Sequence, residues 1–400
     1  MKYIVILGDG WADYPDKNGN TPLSLANKPA IDNLAKVSRL GLCKTVPDGM
    51  KPGSDVANMS VMGFDPHVYY TGRSPLEAAS MGIELGDSDV TFRCNLVTLD
   101  GDGDYESLKM KDYSAGEISS KEAAALIKEL TEKIQLPSGC ELKAGVSYRH
   151  CFVHRNALER GAILTPPHDI SGRPIKEYLP KGAFGEEILS FMKQSREILS
   201  KSEINKKRIA AGKNPANSCW LWGEGTKPSF GSFEELHGLK GAVISAVDLV
   251  KGIGKLAGMD VIDVEGACGT IDTNFPGKAK AALDAIKKCD YVYIHMEAPD
   301  ECGHHGDLEG KIKSIELIDS LVVKPIFEEM TKRGEPFRLL ITPDHPTPVS
   351  IMTHVSDPVP FMIYDSTLKE NGQNSYDEKT CEKARCFVPS GKDLFKLFTE

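Results

Sequence analysis

The sequence predicts an α/β protein: a mostly parallel sheet sandwiched by helices, with a smaller α/β domain inserted into it. Three observations carry this reading. Short apolar runs alternate with amphipathic helical segments at both ends of the chain, as in sheets covered on both faces. Several of those runs end in, or lead into, Asp and His. Between about residues 66 and 235 the rhythm changes and then returns.

Residues 2 to 7 read as a buried first strand ending in Gly8-Asp9-Gly10, where glycines allow a sharp turn and leave Asp9 at the strand's carboxyl end. Ser24 to Leu40 is helix-like. Pro52-Gly53-Ser54-Asp55 is a helix-start signal. Ser54 fits an ordinary N-cap there, and equally a nucleophile held at a helix N-terminus. From about Val90 the chain gives a strand (Thr91 to Leu99), a helix (Ser120 to Ile134), strands at Val146 to His154 and Ala162 to Leu164, and one long helix (Glu186 to Ile209). Asn214 to Phe230, rich in Gly, Pro and Asn, reads as a rigid loop. This defines an inserted domain over 66–235 and a discontinuous main domain over 1–65 and 236–400. From Gly241 strands and helices alternate again, with strands at 242–246, 261–264, 291–295, 337–341 and 358–364. Pro325 predicts a kink or break within the helical stretch Glu309 to Lys332.

The composition is that of an ordinary globular protein, with 40% hydrophobic and 26% charged residues over 400 positions. A net charge of −9 disfavours nucleic acid as a partner. No run approaches the ~20 apolar residues of a membrane span, and Asp9 interrupts the apolar start. The ten cysteines form no CxxC pair. Free thiols in a reducing cytoplasm are expected, so the predicted location is cytoplasmic. Self-association into a homo-oligomer stays open.

The chemistry gathers at predicted strand ends, where open parallel sheets bind ligands. The first strand gives Asp9. The strand ending near His295 leads to Asp300 and His304, whose i,i+4 spacing puts them on one face of a helical turn. The strand ending at Ile341 gives Asp344 and His345, with His354 nine residues on. Taken alone, the stretch Thr342 to His354 fits either a metal site or polar caps of turns around Pro343, Pro346 and Pro348. Together the six residues suit two Mn²⁺ or Zn²⁺ ions, about 3.5–4 Å apart, as used for displacement at phosphorus. His295, inside a strand, is expected to be structural. So are His67, His150, His154, His237 and His305.

GDGWAD at 8–13, PGSDVANMSVMGFDP at 52–66, GACGTIDTN at 266–274, APDECGHHGD at 298–307 and PDHPTPVSIMTHVSDPVP at 343–360 resemble the archaeal-type, cofactor-independent phosphoglycerate mutases of the alkaline phosphatase superfamily. The motifs occur in the family's order over nearly the whole chain. The resemblance implies a phosphatase-like α/β domain with a smaller domain inserted after the nucleophile helix. It implies Ser54 as the phosphorylated nucleophile. Asp9, Ser54, Asp344 and His345 would then hold one divalent ion, and Asp300, His304 and His354 the other, with Mn²⁺, Zn²⁺ or Mg²⁺ as the metal. No 2,3-bisphosphoglycerate would be needed. Where the family usually reads DAAGHD, this chain has Glu301, Cys302 and His305 around the same ligand spacing.

The implied reaction is interconversion of 3-phosphoglycerate and 2-phosphoglycerate, a step of glycolysis and gluconeogenesis. It would run through a phosphoserine, with glycerate retained between the domains and water kept out. Such a small anionic phosphorylated substrate calls for cations. Arg149, Arg155, His168, Asp169 and Lys278 are the candidate substrate-binding residues. Competing readings are a homoserine kinase-like phosphotransferase of the same fold, a metal-dependent phosphatase or phosphonate hydrolase, and a non-catalytic metal-binding scaffold. The absence of a P-loop, GxxxxGK[ST], bears on the first of these, because ATP would have to bind without one.

Overall fold

The structure is a computed structural model that describes residues 1–157 and 161–400. The chain divides into two compact units, Met1–Tyr70 with Ser229–Glu400, and Thr71–Pro228.

The first unit is built on an eight-stranded sheet. In order across it run Asp260–Ile262, Gly241–Ile244, Tyr291–Met296, Lys2–Gly8, Phe337–Thr342, Val359–Asp365, Arg39–Cys43 and Phe387–Val388. The first five strands are parallel to one another. Val359–Asp365 runs antiparallel to both of its neighbours. The three central strands are almost fully buried, as apolar runs covered on both faces should be. Their register sets up the site. Leu7 pairs with both His295 and Thr342, and Gly8 with Met296. The segments beginning at Asp9, Glu297 and Pro343 therefore leave the sheet at one edge.

The second unit is an antiparallel sheet. Its central strand, Val90–Asp100, pairs with Arg149–His154, Ser218–Thr226 and Lys109–Asp112. Helices Ser120–Lys133 and Gly185–Leu199 pack on one side, where Leu126, Leu130, Phe191 and Met192 join Phe92, Phe152 and Trp220 in one core. Helix Ser74–Ser80 contacts the same sheet, with Ala78 in a small cluster beside Cys151 and Val153. That cover explains why residues 90–99 are all buried although their sequence alternates.

Several expected elements differ. Ser24 to Leu40 is not one helix. It comprises helices Pro22–Leu25 and Pro29–Ala35 and then the strand Arg39–Cys43. Pro29 has no N–H to continue the first helix. Glu186 to Ile209 splits into Gly185–Leu199 and Glu203–Ala210, because Ser202 caps a new helix start. The expected loop at 214–230 contains the strand Ser218–Thr226, where Trp220 and Leu221 fill the second core. The break expected at Pro325 takes the form of a π turn: Leu308–Ile318 passes through Asp319–Val323 into Lys324–Arg333, with Pro325 in the first turn of the latter.

The second unit is shorter than the expected 66–235. Pro66–Tyr70 and Ser229 onward stay with the main unit, where Phe64, Tyr69, Phe230 and Phe233 stack with ring centroids 4.7–6.2 Å apart. No helix among the described residues is long and apolar enough to cross a membrane.

Candidate active site

The helix Ser54–Val61 starts where Gly53 turns the chain. Gly53, not Ser54, takes the N-cap position, so Ser54 is the first helical residue and its hydroxyl is not used as a cap. Ser54 Oγ lies 3.1 Å from His345 Nε2 instead.

Around it stand two ligand groups. The deeper one contains Asp9, Asp344 and His345, all buried. Asp344 Oδ1 accepts from the backbone N–H groups of Gly10 (3.1 Å) and His345 (2.8 Å), and its Oδ2 from the Asn58 amide at 2.7 Å. His345 Nε2 lies 3.6 Å from Asp9 Oδ1 and 3.4 Å from Asp344 Oδ2. The shallower group is Asp300, His304 and His354. His304 Nε2 is 3.3 Å from Asp300 Oδ2, His354 Nε2 is 3.4 Å from Asp300 Oδ1, and the two Nε2 atoms are 2.8 Å apart. Asp300 belongs to both groups, since its carboxylate also converges with Asp9 and His345. Gly10 is what allows this. Its φ is +61°, and a Cβ there would fall 2.5 Å from Asp300 Oδ1.

The arrangement fits divalent cations. Asp9 Oδ1 is buried and has no hydrogen-bond donor, which is costly for an anionic oxygen unless a cation takes it. Burial first, and then the charges of Asp344 and Asp300, push the Asp9 carboxyl well above its usual range, as expected of carboxylates packed without a cation. The imidazoles are already turned for ligation. His304 Nδ1 faces the Met352 carbonyl at 3.2 Å, and His345 Nδ1 faces Thr347 Oγ1 at 3.3 Å. Both thereby leave Nε2 toward the carboxylates. Burial pushes the His345 pKa down, with Asp344 opposing it, so its Nε2 lone pair stays available. Burial alone would raise Asp300, but hydrogen bonds from His304 and His354 outweigh that and hold it well below the usual carboxylate range.

The structure therefore brings Asp9, Ser54, Asp300, His304, Asp344, His345 and His354 together. Among the six histidines assigned to structure, His295 departs from expectation. It is fully buried, with Nε2 3.2 Å from Asp9 Oδ2 and Nδ1 3.1 Å from Glu297 Oε1. Its strand register beside Leu7 puts it there.

Two of the candidate substrate cations are committed elsewhere. Lys278 is fully buried, with its ammonium ion-paired to Glu297 and 3.0 Å from the His295 carbonyl. It therefore supports the site from behind and presents nothing to a substrate. Arg155 holds Asp89 (2.7 Å), Glu141 (2.9 Å) and the Glu84 carbonyl (2.7 Å). In the second unit, Arg149 is exposed over the Tyr148 ring, and His168 stacks edge-on to Trp222, 3.6 Å from Asp169.

Sequence reasoning missed Asn58, Tyr293, Thr347 and Lys311. Asn58 had a signal, since it lies one helical turn after Ser54 on the same face. Lys311 did not. It is a buried cation that reaches Asp13 Oδ2 (2.7 Å), the Thr347 carbonyl (2.8 Å) and the Ala12 carbonyl (3.2 Å). It ties the loop after the first strand to the Thr342–His354 stretch.

Fold and site together define a two-unit α/β protein with a candidate two-ion centre built around a serine. Comparison with known proteins makes this specific. The sequence model of the family described as 2,3-bisphosphoglycerate-independent phosphoglycerate mutase matches residues 35–205. The enzyme of that name from Methanothrix thermoacetophila is 50% identical over 400 residues, covering 99% of each chain. A solved Pyrococcus horikoshii protein matches with a TM-score of 0.82 and 30% identity over 99% of this chain and 96% of that one. The solved cofactor-independent phosphoglycerate mutase of Thermoplasma acidophilum matches with a TM-score of 0.69 and 26% identity, over 100% and 99%. The chain belongs to the 2,3-bisphosphoglycerate-independent phosphoglycerate mutase family.

Proposed function

We propose that this protein interconverts 3-phosphoglycerate and 2-phosphoglycerate, with Ser54 carrying the phosphoryl group between the two hydroxyls. The observation that carries this reading is the position of Ser54. Its Oγ is 3.1 Å from His345 Nε2, at a helix start, where the two ligand groups meet.

Asp9, Ser54, Asp344 and His345 would hold one divalent ion, and Asp300, His304 and His354 the other; Mn²⁺, Zn²⁺ and Mg²⁺ are the candidates. Bound ions would lower the pKa of the serine hydroxyl and neutralise phosphate oxygens. The chain's own residues do the rest. Ser54 Oγ attacks the phosphorus of 3-phosphoglycerate. The Oγ–P bond forms as the P–O bond to C3 breaks, and the proton lost by the serine hydroxyl is balanced by the one the C3 oxygen takes. The C2 hydroxyl then loses its proton and attacks the phosphoserine, which frees Ser54 and gives 2-phosphoglycerate. The first amides of the Ser54–Val61 helix favour negative charge at Ser54, and Gly53 puts no side chain in the way.

The second unit carries a group of cations beside Trp222. Glu77 bridges Arg93 (2.9 Å) and Arg73 (3.1 Å), and the Arg93 guanidinium lies 4.1 Å over Trp222. Burial lowers the Arg93 pKa, and Glu77 opposes this, but the charges of Arg73 and Arg149 lower it further. His168 packs edge-on against the same Trp222 ring. Arg149, His168 and Asp169 remain proposed for substrate, whereas Lys278 and Arg155 are held by carboxylates.

The test is a coupled assay with 3-phosphoglycerate and Mn²⁺, without 2,3-bisphosphoglycerate, run beside ATP with homoserine. Turnover is expected in the first assay only. Ser54→Ala should lower it by roughly 10⁴-fold or more. Near-normal mutase turnover in that variant would reject the phosphoserine route.

A further inference from the structure

Asn58 has no assigned part in the chemistry, yet it joins the nucleophile to a candidate metal ligand. It is fully buried one turn into the Ser54–Val61 helix. Its Nδ2 donates to the Ser54 carbonyl at 2.8 Å and to Asp344 Oδ2 at 2.7 Å. Its Oδ1 accepts from the Tyr293 hydroxyl at 2.7 Å. Both amide hydrogens and the amide oxygen are therefore engaged.

The amide orientation follows from these partners. If it were flipped, Oδ1 would face a carbonyl and a carboxylate, two acceptors with no proton to share. Ser54 and Asp344 thus decide which way the amide points, and Tyr293 holds its oxygen there by donating to Oδ1. That tyrosine comes from the central strand Tyr291–Met296, so its position is fixed by the sheet. Burial, and then neighbouring Tyr291, Asp344 and Asp9, push its pKa well above the ordinary phenol value, so it remains a donor.

The consequence falls on Asp344. Its Oδ1 already accepts from the Gly10 and His345 amides. With Asn58 on Oδ2, three donors hold the carboxylate, and Oδ2 lies 3.4 Å from His345 Nε2. The same amide grips the carbonyl of Ser54, so serine and carboxylate share one rigid reference.

We infer that Asn58 is a positioning residue that locks the Ser54 helix start to Asp344, and that Tyr293 acts through it by anchoring the amide oxygen. This rests on the assignment of Asp344 and Ser54 to the proposed two-ion phosphoryl-transfer site. Outer residues of this kind typically change metal affinity by about 10–100-fold.

The experiment compares Asn58→Leu, Tyr293→Phe and the double variant with the full-length wild-type protein. Mn²⁺ binding is measured by calorimetry, kcat and KM by the coupled mutase assay, and folding by thermal melting. Asn58→Leu should weaken the Mn²⁺ site containing Asp344 by about 10–100-fold and lower kcat with little change in KM. Tyr293→Phe keeps the ring and should give a smaller loss of the same kind. The double variant should be no worse than Asn58→Leu, because Tyr293 has nothing left to anchor. A role confined to packing would lower the melting temperature and leave Mn²⁺ affinity and kcat at wild-type values. That result, or additive losses in the double variant, would overturn the inference. If Asn58→Leu does not fold, Tyr293→Phe alone decides, by loss or retention of Mn²⁺ affinity. A wild-type protein that binds Mn²⁺ but does not turn over phosphoglycerate would reject the mutase reading. The affinity comparison would still decide the role of Asn58.

Discussion

The two ligand groups share Asp300 but are built differently. Asp9, Asp344 and His345 come from two separate strand ends and are at most 3% exposed. Asp344 alone accepts three hydrogen bonds. Asp300, His304 and His354 come from one short helix, Ala298–His304, and a loop. The side chains of His304 and His354 are 35% and 21% exposed. The buried group is thus fixed by the sheet before any ion arrives, whereas the open group is arranged mostly by its own members. Rigid ligands suit the ion that must keep a fixed relation to Ser54. Open ones suit the side that substrate phosphate has to approach and leave.

That contrast can be broken by matched substitutions. Asp344→Asn and His354→Ala should each lower mutase activity by about 10³-fold, because each removes a proposed ligand. Their stabilities should differ. Asn at 344 would put an amide N–H against a buried donor and cost on the order of 2–4 kcal/mol. His354→Ala, at a more open position, removes one bond to Asp300 and should cost about 1 kcal/mol. Urea titrations of the metal-free proteins read this directly. Equal stabilities would mean that the deeper group is no more preorganised than the shallower one.

The same contrast explains what the sequence could reveal. Asp9, Asp300, His304, Asp344, His345 and His354 were legible because chemistry-bearing residues follow apolar runs, and strand ends in parallel sheets converge. Ser54 was legible as a helix start in a recognisable motif. What stayed hidden depends on register between distant segments. His295 looks like one more strand residue until Leu7 is paired with it. Lys278 looks like a free cation at a helix start until Glu297 is seen beneath it. In the second unit, the sequence of the strand Ser218–Thr226 reads as loop because Gly and Pro in Asn214–Phe230 outweigh its two tryptophans. Pairing with Val90–Asp100 overrides that local preference. The break in Pro22–Cys43 is signalled by Pro29, which the helical spacing of the apolar residues masks.

The preorganisation of the deeper group also depends on Lys311, so removing that residue sharpens the comparison. Lys311→Met would leave the Asp13 carboxylate, whose side chain is 2% exposed, buried without its cation. The expected cost is about 3–5 kcal/mol. The Thr347 carbonyl would lose its hold as well. Thr347 Oγ1 faces both Asp300 and His345 Nδ1, so Mn²⁺ binding should weaken at both groups. Adding Asp13→Asn should recover part of the stability, because it removes the orphaned charge, but not the metal affinity. Full recovery of both would assign Lys311 to charge balance alone.

The smallest effect lies one residue further out. Glu378 Oε1 accepts the Asp13 N–H at 3.1 Å, and its Oε2 accepts the Thr21 hydroxyl. Burial raises its pKa from 4.5 to about 7, against the hydrogen bonds from Thr21, from its own backbone and from Asp13. The folded protein therefore binds this proton more tightly than the unfolded chain does. Glu378 costs no charge-burial energy below about pH 4.5. Its contribution to stability falls as the pH rises toward 7 and levels off above that. Glu378→Gln keeps an acceptor for Asp13 and cannot ionise. It should exceed wild type by on the order of 2 kcal/mol at pH 8 and lose that advantage near pH 5. Melting curves of the metal-free proteins at the two pH values measure this. Because Glu378 touches Asp13 and no proposed ligand, kcat with saturating Mn²⁺ should be unchanged between the two proteins at pH 8. A change in kcat at that pH would mean that the support for the deeper group extends to Glu378, through Asp13, Lys311 and Thr347.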